Sequence, residues 1–180
     1  SDRFGFLNLG LGLWNGQDDR LKERLFGLTN GEGNHGEDVK EVWWPTDATP
    51  THSYGTWLYR YPQAAFPYNH LRAEAASRGR TDDEYELIDT GVFDENRFFD
   101  IEVTHAKANP TDICLEYTAT NHGPDAAPLD LVPQAAVKVN DVVMALVSGV
   151  LRTFLLDMHA RTGLRAGGEL VAVTTIGFDI

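Results

Sequence analysis

The sequence predicts an α+β chain: a mostly antiparallel β-sandwich followed by a long helix and a terminal strand. Three observations carry this. From Tyr85 onward, "RFFDIEVTHAKA", "DICLEYTATN" and "APLDLVP" alternate apolar with polar residues and are separated by turn residues. The block "VNDVVMALVSGVLRTFLLDMHARTG" changes to apolar steps of three and four. "ELVAVTTIGFDI" then returns to a β-like run.

Taken in order, residues 4–14 set Leu7, Leu9, Leu11 and Leu13 against Phe4, Phe6, Asn8, Gly10 and Gly12, the period of a strand buried mainly on one side. "NGQDD" reads as a turn, and "RLKERLFGL" fits either a helical turn or a strand. Residues 29–55 read as loop, because Gly31, Gly33 and Gly36 free the backbone while Pro45 and Pro50 limit regular structure. In "TWLYRYP", Trp57, Tyr59 and Tyr61 alternate and fit one face of a strand, as core or as a ligand-facing wall. "PYNHLRAEAASRGR" (67–80) reads as a helix that stops at Gly79. "YELIDTGVF" and "RFFDIEVTHAKA" read as strands around the turn "DEN". In "DICLEYTA", Ile113, Leu115 and Tyr117 share one face and Cys114 lies on the other, a structural thiol with no neighbouring base to make it a thiolate. Val143, Leu146, Val147, Val150, Leu151 and Phe154 form one apolar stripe, with Asn140 or Asp141 as N-cap and Gly163 as C-cap, predicting a helix of about five turns.

With 42% hydrophobic and 23% charged residues, the chain belongs with globular proteins rather than disordered ones. A net charge of −12 makes nucleic acid and anionic membranes poor partners. One cysteine excludes an internal disulfide framework, and no apolar run approaches the ~18–20 residues of a membrane span. The N-terminal stretch lacks the pattern of a secretory signal, so the expected location is cytoplasmic. The charge is uneven. Residues 135–180 hold four basic and four acidic residues; removing these from totals of 15 and 27 leaves 11 and 23 in residues 1–134, which also contain all the tryptophans and tyrosines. This break predicts a first domain over 1–134 and a helix–strand segment of different origin over 135–180.

The chemistry-bearing stretch is "TNGEGNHGEDVKEVWW" (29–44), with Glu32, Asn34, His35, Glu37 and Asp38 ahead of Trp43 and Trp44. Carboxylate and imidazole donors suit a metal, but the spacing is no known ligand pattern and no metal or other cofactor is expected. Glu37 and Asp38 are adjacent, whereas a glycosidase acid and base come from separate segments. Sugar binding fits better: hydroxyls take carboxylate, amide and imidazole partners, and sugar C–H faces take an aromatic plane. A glycine-rich turn with solvated carboxylates is the alternative. His52 beside Ser53 lacks a G-x-S-x-G elbow, and phosphate-loop, dinucleotide and zinc-ribbon signatures are absent.

"LWNGQDDRLKERLFGLTNGEGNHGEDVKE", "TPTHSYGTWLYRYPQAAFPY" and "YELIDTGVFDENRFFDIEVTHAKANPTDICLEYTATNHGPDAAPLDLVPQ" together resemble the N-terminal region of bacterial proteins related to glycoside hydrolase family 63, which includes mannosyl-oligosaccharide glucosidases. The resemblance spans residues 2–134. It implies a β-sandwich packed on an (α/α)6 barrel of an inverting hydrolase, with the catalytic acid and base in that barrel. "AAVKVNDVVMALVSGVLRTFLLDMHARTG" resembles a segment of the wax ester synthase/diacylglycerol acyltransferase family, whose His-His-x-x-x-Asp-Gly motif is missing here. The expected function is therefore that of a glucosidase-type N-terminal domain. It would contact an α-glucoside, an oligosaccharide or the barrel through Trp14, Glu32, Asn34, His35, Glu37, Asp38, Trp43 and Trp44. A non-catalytic carbohydrate-binding or interaction module is the alternative, and a lipid acyltransferase fragment the third reading.

Overall fold

A computed structural model of the 180-residue chain describes residues 8–19, 22–25, 42–109, 112–136 and 160–177. The fold is α+β and mostly antiparallel β-sandwich-like, with two sheets and one α-helix among the described residues. It divides into two compact units, Ser1–Asn30 with Pro128–Gly163 and Gly31–Ala127 with Leu164–Ile180.

The first unit is built on a four-stranded sheet of order β2-β1-β7-β8, comprising β1 (Asn8–Trp14), β2 (Lys22–Leu25), β7 (Ala127–Ala136) and β8 (Ala160–Leu164). β1 runs antiparallel to both β2 and β7, pairing Gly12 with Glu23 and with Val132. Leu11, Leu13, Leu129 and Leu131 have no exposed surface, each contributing about 1.5–3 kcal/mol relative to an exposed position. The predicted "NGQDD" turn is present. Asn15 Oδ1 accepts from the backbone N–H of Gln17 and Asp18, and Gly16 sits at φ 77°, a conformation that favours glycine. The open reading of "RLKERLFGL" resolves to the short strand β2.

The second unit carries a five-stranded sheet of order β3-β4-β5-β6-β9, every neighbouring pair antiparallel: β3 (Trp43–Ala48), β4 (Tyr54–Pro62), β5 (Phe98–Asn109), β6 (Asp112–Asn121) and β9 (Glu169–Gly177). Strict alternation in "FFDIEVTH" and "DICLEYTAT" puts one residue of each pair on a closed face. Tyr59, Tyr61, Phe99, Ile101, Val103 and Tyr117 are fully buried there. Tyr59 and Tyr61 are thus core rather than a stacking wall, and Trp57 is half-buried with its ring stacked on His105 at 5.0 Å. The predicted helix is α1 (Tyr68–Ser77), which buries Tyr68 and Leu71.

One buried residue ties the sheet's loose ends together. Asn121 is fully buried at the end of β6; its Nδ2 donates to the carbonyls of Asp125 (2.9 Å) and Leu164 (2.8 Å), and its Oδ1 accepts from the Gly123 N–H (2.8 Å) and from Gln63 Nε2. Its backbone bonds Gly167 and Gly168 in the turn before β9. Every polar atom of the amide is used, as burial demands.

Several sequence expectations need correction. "YELIDTGVF" is not a strand: Leu87–Thr90 is a 3-10 turn closed by a reciprocal Glu86–Asp89 cap and Gly91 at φ 72°. Thr90 Oγ1 bonds the Leu87 carbonyl at 2.6 Å, so local side-chain bonds outcompete a ladder. Residues 43–48, read as loop because of Pro45, form β3; the proline is tolerated on an edge strand, beside a bulge between Pro45 and Asp47. Gly163 does not cap a helix, since Ala160–Leu164 is β8; the body of the predicted helix, 140–159, lies outside the described residues. Gln134, where composition changes, falls inside β7, and residues 160–177 give one strand to each sheet.

Candidate functional site

Of the predicted contact residues, Glu32, Asn34, His35, Glu37 and Asp38 lie outside the described residues. Trp14 belongs to the first unit, where its indole N–H donates to the Asp18 carbonyl at 2.9 Å and so helps close the turn after β1. Trp43 and Trp44 are consecutive on β3, so the pleat sends them to opposite faces. Trp43 turns to the closed face, 6.1 Å from the Tyr59 ring. Trp44 is 37% exposed on the open face. The two do not form one aromatic platform.

Around Trp44 the open face assembles residues that local sequence patterns do not single out. Arg60 and Asp100 are directly opposite on β4 and β5. Arg60 grips the carboxylate with two bonds, Nε to Oδ1 at 2.8 Å and Nη2 to Oδ2 at 2.9 Å. His122, in the turn after β6, brings Nε2 to within 3.1 Å of Asp100 Oδ2. The Arg60 guanidinium lies 4.0 Å from the centre of the Phe98 ring and 5.9 Å from that of Trp44. The His122 ring packs on Phe98 at 5.0 Å, and Phe93 meets it edge-on at 5.9 Å. Phe98 therefore stays 92% buried on a face otherwise open, sealed by two basic side chains.

This geometry sets the chemistry available. Both Asp100 oxygens are committed to Arg60, and Oδ2 also to His122, so the carboxylate orients its partners rather than serving as a free acid or base. The Arg60 and Asp100 side chains are 33% and 16% exposed, and such a pair is worth on the order of 1 kcal/mol after solvent screening. The face offers an exposed indole plane, a fixed guanidinium and a half-exposed imidazole.

Other clusters are internally satisfied. Ser53 Oγ contacts the hydroxyls of Thr49 and Thr51, and the His52 carbonyl meets His105 Nε2 at 3.0 Å, so the His52–Ser53 neighbours build a turn. The depression at the end of α1 has Asp82 bonded to the Gly79 N–H at 2.6 Å and Arg78 to the Asp83 carbonyl at 2.8 Å. Among the described residues no three His, Cys, Asp or Glu side chains converge as metal ligands. None of the described helices is long and apolar enough to cross a membrane.

No family model matches the chain, and no solved structure matches it. It is similar to the uncharacterized protein YMR196W of Saccharomyces cerevisiae, with 43% identity over 144 residues. The match covers 74% of this chain and 13% of the yeast protein. The chain thus spans about an eighth of that relative's length.

Proposed function

We propose that the chain is the β-rich N-terminal region of a glycoside hydrolase family 63-like glucosidase. It supplies contacts to an α-glucoside or to a catalytic barrel that holds the acid and base. The observation that carries this reading is the open face at Trp44, where an exposed indole lies beside a guanidinium locked by Asp100. A sugar presents C–H faces and hydroxyls, and this pairing of an apolar plane with oriented polar groups matches both. The motifs of residues 2–134 support the family, and the small share of the yeast relative that is matched is consistent with a chemistry seated elsewhere in a longer protein. The commitment of Asp100 to two partners also favours a second reading, a non-catalytic carbohydrate-binding module.

Calorimetric titration with α-linked gluco-oligosaccharides, run beside a glucose-release assay, tests both. Binding without turnover, lost in Trp44→Ala and kept in Trp14→Phe, is the expected result. Turnover by the 180-residue chain alone would overturn the placement of the acid and base elsewhere, and the absence of binding would remove the sugar contact.

A further inference from the structure

Asp100 occupies only one edge of the Arg60 guanidinium. Its carboxylate takes the lateral edge, Nε at 2.8 Å and Nη2 at 2.9 Å. The end edge, Nη1 beside Nη2, makes no hydrogen bond among the described residues and keeps two parallel N–H groups. Phe98, with its ring centre 4.0 Å away, fixes the plane of the guanidinium, and the two bonds fix its rotation within that plane. His122 Nε2, 3.1 Å from Asp100 Oδ2, holds the carboxylate in turn. Arg60 is 33% exposed, so a rigid donor fork stands at the surface before any ligand arrives.

Such a fork fits two neighbouring oxygen acceptors, those of a carboxylate or of two adjacent hydroxyls. Local charge separates the two. The Arg60–Asp100 pair sums to zero, and the chain as a whole carries −12. Glu102, two residues along β5 and so on the same face, is exposed. A carboxylate ligand is repelled here, whereas a neutral diol is not. We propose that Arg60 is a specificity-determining residue whose end edge reads a vicinal diol, two hydroxyls on neighbouring carbons of one uncharged sugar ring. This rests on the saccharide-contact reading of the open face and names the part of the sugar that is read. The guanidinium is 5.9 Å from the centre of the Trp44 ring, so a single pyranose can set its C–H face on the indole and its diol on the fork. Asp100 is a positioning residue, acting through the Arg60 edge it holds.

In an α-glucoside the 3-hydroxyl belongs to both the 2,3 and the 3,4 diol, while the 6-hydroxyl belongs to neither. NMR titration of the full chain with methyl α-glucoside, its 3-deoxy and 6-deoxy forms and methyl α-glucuronide uses this difference. The 6-deoxy sugar is expected to bind within about twofold of the parent sugar, and the 3-deoxy sugar roughly tenfold more weakly. Arg60→Lys keeps a positive charge beside Asp100 but has no planar fork. It should weaken methyl α-glucoside roughly tenfold and erase the difference between the parent and 3-deoxy sugars, which a purely structural role would leave intact. Equal binding of those two sugars by the parent chain, or a 3-deoxy penalty that survives Arg60→Lys, overturns the diol while leaving the saccharide contact in place. Tighter binding of the glucuronide overturns it by making the fork a carboxylate site. Binding of none of the sugars removes this inference and the saccharide contact together.

Discussion

The closed and open faces of the five-stranded sheet are made by alternate residues of the same strands, yet they obey different rules. On the closed face Tyr59, Tyr61, Phe99 and Tyr117 have no exposed surface, and the fully buried Asn121 has its whole amide bonded. On the open face Trp44 is left exposed, and Arg60, Asp100 and His122 hold one another above Phe98. The closed face is packed away from solvent, whereas the open face keeps aromatic and charged groups at the surface. Substitutions that cross this division test it.

The largest effect is expected on the closed face. Asn121→Ala strands the Asp125 and Leu164 carbonyls and the Gly123 N–H, and costs about 3 kcal/mol in urea unfolding at unchanged slope. A loss well under 1 kcal/mol would mean water takes over the amide's role. Gly55→Ala comes next. A Cβ there meets the His105 ring at 2.9 Å and the Trp57 ring at 3.2 Å, where the two rings stack, so a loss of about 1–3 kcal/mol is expected. On the open face, Asp100→Ala lowers stability by about 1 kcal/mol or less but frees Arg60 and His122, and it should weaken saccharide binding while the thermal midpoint hardly moves. Equal damage to binding by Asp100→Ala and Gly55→Ala would erase the distinction between the faces.

The smallest effect, and the one with a pH signature, is Tyr117→Phe. Burial pushes the Tyr117 phenol above its ordinary value of 10.0, and among the described residues its hydroxyl makes no hydrogen bond. Between the unfolded and the raised folded pKa the unfolded chain loses a proton that the folded chain keeps. The resulting stability is intact below about pH 10 and is lost above it, by ~1.4 kcal/mol per pH unit. Tyr117→Phe should leave neutral stability within ~0.5 kcal/mol and flatten this alkaline limb. An unchanged alkaline slope in that variant would show that the loss comes from other groups.

β5 and β6 were legible because "FFDIEVTH" and "DICLEYTAT" alternate without interruption, and the register of a half-buried strand follows its pattern. α1 was legible from its Ala-rich run and the stop near Gly79. β3 was hidden by Pro45, which looks like a breaker until an edge position makes its missing N–H harmless. The turn at Leu87–Thr90 was hidden because its alternation is strand-like while Asp89, Thr90 and Gly91 satisfy the backbone locally. The Arg60–Asp100–His122 cluster carried no signal at all. Arg60 and Asp100 are 40 residues apart and meet only through the β4–β5 register, which no local pattern encodes. Of the predicted contact residues, Trp44 emerges on the open face, while neighbouring Trp43 is drawn inward by the pleat.

Asn121 also imposes an order on assembly. Its amide reaches the Leu164 carbonyl 43 residues ahead, and its backbone closes on Gly167 and Gly168. A ribosome that has delivered β6 has therefore made an amide whose Leu164 partner does not yet exist. β4, β5 and β6 can pair as soon as they are made, but the end of that sheet stays open until β9 arrives. The refolding rate of Asn121→Ala should therefore match that of the parent while unfolding accelerates, a φ-value near zero. On this reading β9 closes the sheet after the chain has already committed to its fold.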